Sequence, residues 1–94
     1  MCTSVTEQID VVAHGRGRGE WTPLSSAVVY YDHPARETSE HAMVIDLRGK
    51  DGSPSSRVVI EMSVASAAEL ARTIQRVLSA PPAKDDLARL AVQV

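Results

Sequence analysis

The amino-acid sequence predicts a small α+β protein: a four-stranded antiparallel sheet followed by one C-terminal helix packed on one face. Three observations predict it. Three runs place apolar residues at every second position, the pattern of half-buried strands, and a fourth is β-branched and aromatic. Turn-forming Gly, Pro, Asp and Ser separate those runs. After Met62 the apolar period lengthens to that of a helix. A chain of 94 residues supports one modest core. The expected organisation is therefore one domain over residues 1–80 and a tail over residues 81–94.

Each element has its own signal. Over residues 4–14, Val5, Ile9, Val11 and Ala13 share one parity, with Thr6, Gln8 and Asp10 on the other. Gly15, Gly17, Gly19 and Pro23 make the next stretch a loop. Residues 24–31, β-branched and aromatic, form a second strand that ends at Asp32-His33-Pro34. Residues 41–48 form a third, with Met43, Ile45 and Leu47 on one face, and residues 49–56 are turn chemistry throughout. Residues 57–62 form a fourth, with Val58, Ile60 and Met62 inward. Ser66 and Glu69 then have the spacing of a capping box. Ala67, Leu70, Ala71, Ile74, Val77 and Leu78 recur at helical spacing, and Pro81-Pro82 stops the helix. The tail is expected to hold a short helix from Asp86 or to be disordered.

Composition narrows the function classes. Ten basic side chains stand against twelve acidic ones, so a general nucleic-acid or membrane-surface binder is not expected. Trp21, Tyr30 and Tyr31 are too few aromatics for a single-strand stacking platform. No apolar run approaches the ~20 residues of a membrane span. The first ten residues lack the basic flank and apolar core of a signal peptide. Cys2 is the only cysteine, so no internal disulfide forms, and a reducing, cytoplasmic setting is expected. One helix covers one sheet face; the other would carry Val12, Val44, Val59, Val28 and Tyr30. A homodimer burying that face is the simplest remedy, and a different protein partner is the alternative.

The segment Asp32–His41 is the most informative for chemistry. It holds two acid–His pairs, Asp32-His33 and Glu40-His41, at the ends of one loop. A hairpin would bring His33 and His41 to Cβ separations of roughly 5 Å. Two such imidazoles could share a metal, or one could act as a base beside Asp32 or Glu40. The structural reading of the same residues is a turn cap and a half-exposed strand end. Removal of Met1 would leave Cys2 with an amine and a thiol that together chelate a metal. Sulfur with imidazoles suits Zn, Cu, Fe or Ni. Arg16 and Arg18 in the glycine loop could hold an anion, although the loop lacks a P-loop's Gly-Lys-Ser/Thr ending. Trp21 reads as a plug at the edge of the core. Two functions follow: a homo-oligomeric binding or accessory module, or a metal-binding protein or small metalloenzyme using Cys2, His33 and His41. The pattern does not decide whether the protein is an enzyme.

Several ordered motifs carry a resemblance. The MCTSVTE start, the glycine loop ending in Trp, VVYYDHP, EH…ID, and RVVIEM followed by SAAELARTI resemble a family of small actinobacterial proteins of unknown function. The likeness spans roughly residues 1–79. Cys2, Thr3, Asp32, His33, Pro34, Glu40 and His41 match its pattern, whereas Arg36 stands where the family carries a middle histidine. The resemblance supplies no activity. It singles out Cys2, His33 and His41, and the Arg at position 36 weakens a three-histidine metal site.

Overall fold

The computed structural model describes residues 5–38 and 40–92. Strands β1 (Thr6–Gly15), β2 (Thr22–Asp32), β3 (Ala42–Arg48) and β4 (Arg57–Met62) form one antiparallel meander in the order β1-β2-β3-β4. Two helices follow, α1 (Val64–Leu78) and α2 (Ala83–Val92). The chain divides into two compact units, residues 1–64 and 65–94. Each is described by itself.

In the first unit, register assigns every strand residue a face, because side chains alternate. Ile9, Ala27, Leu47 and Val58 form one cross-strand row, and Glu7, Val29, Ile45 and Ile60 form the next. Tyr31, Met43 and Met62 continue the same face. The opposite face carries the row Gln8, Val28, Asp46 and Val59, flanked by Thr6, Tyr30, Val44 and Glu61 and by Asp10, Ser26, Arg48 and Arg57. The second face is the more enclosed along β3: Ala42, Val44 and Asp46 are buried, whereas Met43, Ile45 and Leu47 are half-buried. Of the apolar patch expected on that face, Val44 is buried and Val28 and Tyr30 are half-buried, whereas Val59 remains exposed. Charged side chains and a loop occupy that face, for reasons given below.

The expected parity of β1 fails midway. Asp10 faces Ser26 but Ala13 faces Leu24, so three steps along β1 match two along β2. This is a β-bulge, and the extra residue breaks the alternation that should have carried Val11 and Ala13 with Ile9. Val12 is fully exposed there. Trp21, expected to plug the core's edge, is also exposed, with the Arg16 guanidinium carbon 4.9 Å from the centre of its ring.

The β3–β4 connection folds on itself. Gly49 donates to the Ser56 carbonyl at 2.7 Å, and Gly52 takes the left-handed φ of 68° that glycine tolerates best. Gly49 lies so close to β2 that a Cβ there would sit 3.0 Å from the Pro23 carbonyl oxygen and 2.9 Å from Ser56 Cβ.

In the second unit there are two helices, not one. α1 begins at Val64, two residues before the expected capping box. Ser63 holds the position before the first helical residue, where a serine suits the cap. The Glu69 carboxylate accepts from Arg72 at 2.9 Å and Arg76 at 3.0 Å, pairs one and two turns on. Leu70, Ile74 and Val77 of the apolar stripe are exposed. The tail forms α2, which starts at Ala83 rather than Asp86. Asp85 and Asp86 fall in its first turn, where the helix dipole favours acidic groups, and Asp86 pairs with Arg89. No helix among the described residues is long and apolar enough to cross a membrane.

Candidate functional site

Two polar clusters occupy the sheet unit. The first is built by the β2–β3 loop. Asp32 pairs with Ala42 as the last rung of the hairpin, and its Oδ1 accepts the His33 N–H at 2.7 Å, turning the chain out of the strand before Pro34. His33 and His41 come together as stacked rings, centroids 4.9 Å apart with 23° between their planes. Tyr31 also stacks on His41, at 5.0 Å and 21°. His41 thus stacks with both Tyr31 and His33. His33 Nδ1 lies 3.3 Å from the Glu40 carbonyl oxygen, and Glu40 Oε1 lies 3.6 Å from His41 Nδ1.

The middle of the same loop is fixed from below. Glu61 on β4 accepts three successive backbone N–H groups, from Ala35 at 2.6 Å, Arg36 at 2.7 Å and Glu37 at 2.9 Å. Those bonds favour the ionised form and hold the Glu61 carboxyl below its ordinary range. Glu61 is the cross-strand partner of Val44, so the loop it holds lies over the buried face.

Stacking of nearly parallel rings limits what the two histidines can share. Imidazole lone pairs lie in the ring planes, so stacked rings aim them along neighbouring planes rather than at one point. Among the described residues, no group of three or more His, Cys, Asp and Glu side chains is disposed to hold a metal ion. Cys2, the third expected ligand, lies outside the described residues. Arg16 and Arg18 do not form a common site with these groups: Arg16 rests on Trp21, and Arg18 lies exposed in the β1–β2 loop.

The second cluster was not anticipated from the sequence. Asp46 is 1 % exposed in the middle of the sheet, and its carboxylate is claimed by two arginines. Arg57 approaches with two donors, Nε at 3.0 Å and Nη2 at 2.8 Å, and Arg48 with Nη2 at 2.7 Å. The two bonds from Arg57, then the one from Arg48, hold the Asp46 carboxyl far below the usual carboxylate range, outweighing its burial. Arg48 and Arg57 are directly opposed across β3 and β4. Without an anion between them, that placement would be repulsive. A hollow of about 180 Å³ opens beside them, lined by Arg48, Arg57, Gly52 and Ser53. The one sequence signal is the Asp-x-Arg spacing at Asp46 and Arg48, which puts both side chains on one strand face.

A larger hollow, of about 330 Å³, lies at the β1 bulge between Val11, Ala13, Pro23 and Leu24, with His14 and Lys50 also lining it. No polar cluster converges on it.

No curated protein and no solved structure matches the chain. One family model does, over residues 1–88, under the description "family of unknown function (DUF6295)".

Proposed function

Taking the chain as what that match makes it, a member of a family of unknown function (DUF6295), we propose that it is a small binding module that works as a homodimer. The apolar sheet face would form the interface. The observation that carries this is the composition of that face. Ile9, Ala27, Val29, Ile45, Leu47, Val58 and Ile60 lie on it in register, with Glu7 the one charge in its two full rows. Ile9 is 57 % exposed, and Ile60 and Val58 about 40 %. Contiguous apolar surface of this kind is costly to leave in water.

A second copy of the chain is the occupant this face fits best. It offers almost no charge with which to recognise a chemically different partner, and an apolar face meets its own copy without mismatch. A two-fold axis makes such a contact self-complementary. The formal net charge of −2 sets up little repulsion between copies.

The experiment is light scattering on the wild type and on Ile9→Lys and Ile60→Lys at micromolar concentration. The wild type is expected at twice the chain mass of 10.1 kDa. Each variant is expected at the chain mass, with an unchanged far-ultraviolet spectrum. A wild type that stays monomeric at high concentration would overturn the reading, as would variants that still dimerise.

A further inference from the structure

The arginines on the opposite face have more donor capacity than their buried partner uses. Each guanidinium carries five N–H donors, and Asp46 engages three of the ten. The triad of one carboxylate and two guanidiniums keeps a net positive charge. Both arginine side chains are about half exposed, so their unused donors are open to a solute. The carboxylate that carries no exposure is the one that fixes them. Two flexible arginines are thereby held as a prepared pair, at no further ordering cost when an anion arrives.

The surroundings supply a third donor and the room. Ser53 and Gly52 close the hollow beside Arg48 and Arg57. The Ser53 hydroxyl lies 3.0 Å from Ser55 Oγ, a contact it can keep as acceptor while donating to an anion; the Ser56 hydroxyl, 3.2 Å away, gives its one proton to Asp51 and not to Ser53. Asp51, the nearest carboxylate in sequence, does not line the hollow. It accepts the Ser53 N–H and the Ser56 hydroxyl, bonds that hold its carboxyl low and turn it into its own turn.

From this arrangement we infer that Arg48, Arg57 and Ser53 form a binding site for a phosphate group carried by a small molecule. Two guanidinium forks and one hydroxyl, converging from two strands and a loop, match the three peripheral oxygens of a phosphate monoester. A carboxylate presents only two oxygens and would leave one donor group unused. The inference does not depend on the dimer, which involves the other face of the sheet.

The test is a titration of the full chain with inorganic phosphate at constant ionic strength, followed by NMR on the Arg48 and Arg57 guanidinium N–H signals. Saturable shifts at both arginines are expected, with a melting temperature that rises with phosphate. Arg48→Gln leaves both Arg57 bonds to Asp46 in place, so it tests the site without stripping the buried carboxylate. It should weaken binding about tenfold or more, and Ser53→Ala should weaken it by less. Succinate is the carboxylate arm and chloride the screening control. Shifts that grow linearly and are matched by chloride would overturn the proposal. So would saturation by succinate with none by phosphate, or undiminished phosphate binding in Arg48→Gln.

Discussion

The two faces of the sheet are made of the same four strands and solve opposite problems. One face is nearly all aliphatic, and Ile9, Val58 and Ile60 on it remain exposed. The other carries Asp46, Arg48, Arg57 and Glu61, yet along β3 it is the better enclosed. The difference teaches where shape is specified. Apolar area is non-directional, so the first face tolerates many arrangements and asks only to be covered. The buried carboxylate demands particular partners at particular distances, because an unpaired charge there would be very costly. The charged face therefore fixes local geometry, and on the proposed dimer the apolar face is the one left for association.

That contrast can be broken by substitution, and the largest effect is expected at Asp46. Asp46→Asn keeps the shape but leaves two opposed guanidiniums without an anion. Because the two guanidiniums left behind are half exposed, urea denaturation should show a loss of about 1–3 kcal/mol. Ile60→Lys on the other face should cost under about 1 kcal/mol while removing self-association. Equal costs at the two positions would erase the distinction between the faces.

Acid should sharpen it. The folded-state carboxyl of Asp46 lies below its ordinary value of 3.8, so its stabilisation is complete above that value. As pH falls below 3.8 the folded state gives up this advantage. The gap in stability between wild type and Asp46→Asn should therefore be constant near neutrality and shrink only in strong acid. A gap that closed between pH 7 and pH 5 would show that Asp46 is not held in its ionised form.

A smaller effect is expected at Glu61. Removing its carboxylate in Glu61→Ala frees the amides of Ala35, Arg36 and Glu37. Their hydrogen exchange should become fast while the amides of β3 stay protected. Unchanged protection at all three would show that the loop is held by something else. The smallest effect concerns the stacked histidines. Zinc, copper or nickel should leave the melting temperature where it is, since stacked rings aim their lone pairs apart. A rise that His33→Ala removes would show that the rings unstack to share an ion.

How far this was legible in the sequence differs by level. Strand alternation put Met43, Ile45 and Leu47 with Val58, Ile60 and Met62, and the register pairs Ile45 with Ile60 and Leu47 with Val58. The proximity of His33 and His41 followed from the hairpin alone, since their loop closes between Asp32 and Ala42. The bulge between Asp10 and Ala13 was invisible, because nothing in Val11-Val12 marks an extra residue. The Asp46 cluster was half visible. Asp46 and Arg48 share a face by alternation, but the arrival of Arg57 depends on a register that no local pattern states. The grip of Glu61 on residues 35–37 is a contact between a strand and a loop about 25 residues apart in sequence, and only the fold reveals it. Helix α2 was missed as a definite element because its large apolar residues, Leu87, Leu90 and Val92, are too few to show a stripe.

The measurement that bears most directly on the account is methyl NMR across a dilution series of the wild type. Methyl signals of Ile9, Ile45, Leu47, Val58 and Ile60 should shift together as the protein is diluted through its dissociation range. Those of Val28, Val44 and Val59, on the charged face, should stay fixed. Shifts confined to Val28, Val44 and Val59, or no shift anywhere over a hundredfold dilution to the lowest measurable concentration with a monomeric mass throughout, would contradict the assignment of the apolar face to self-association.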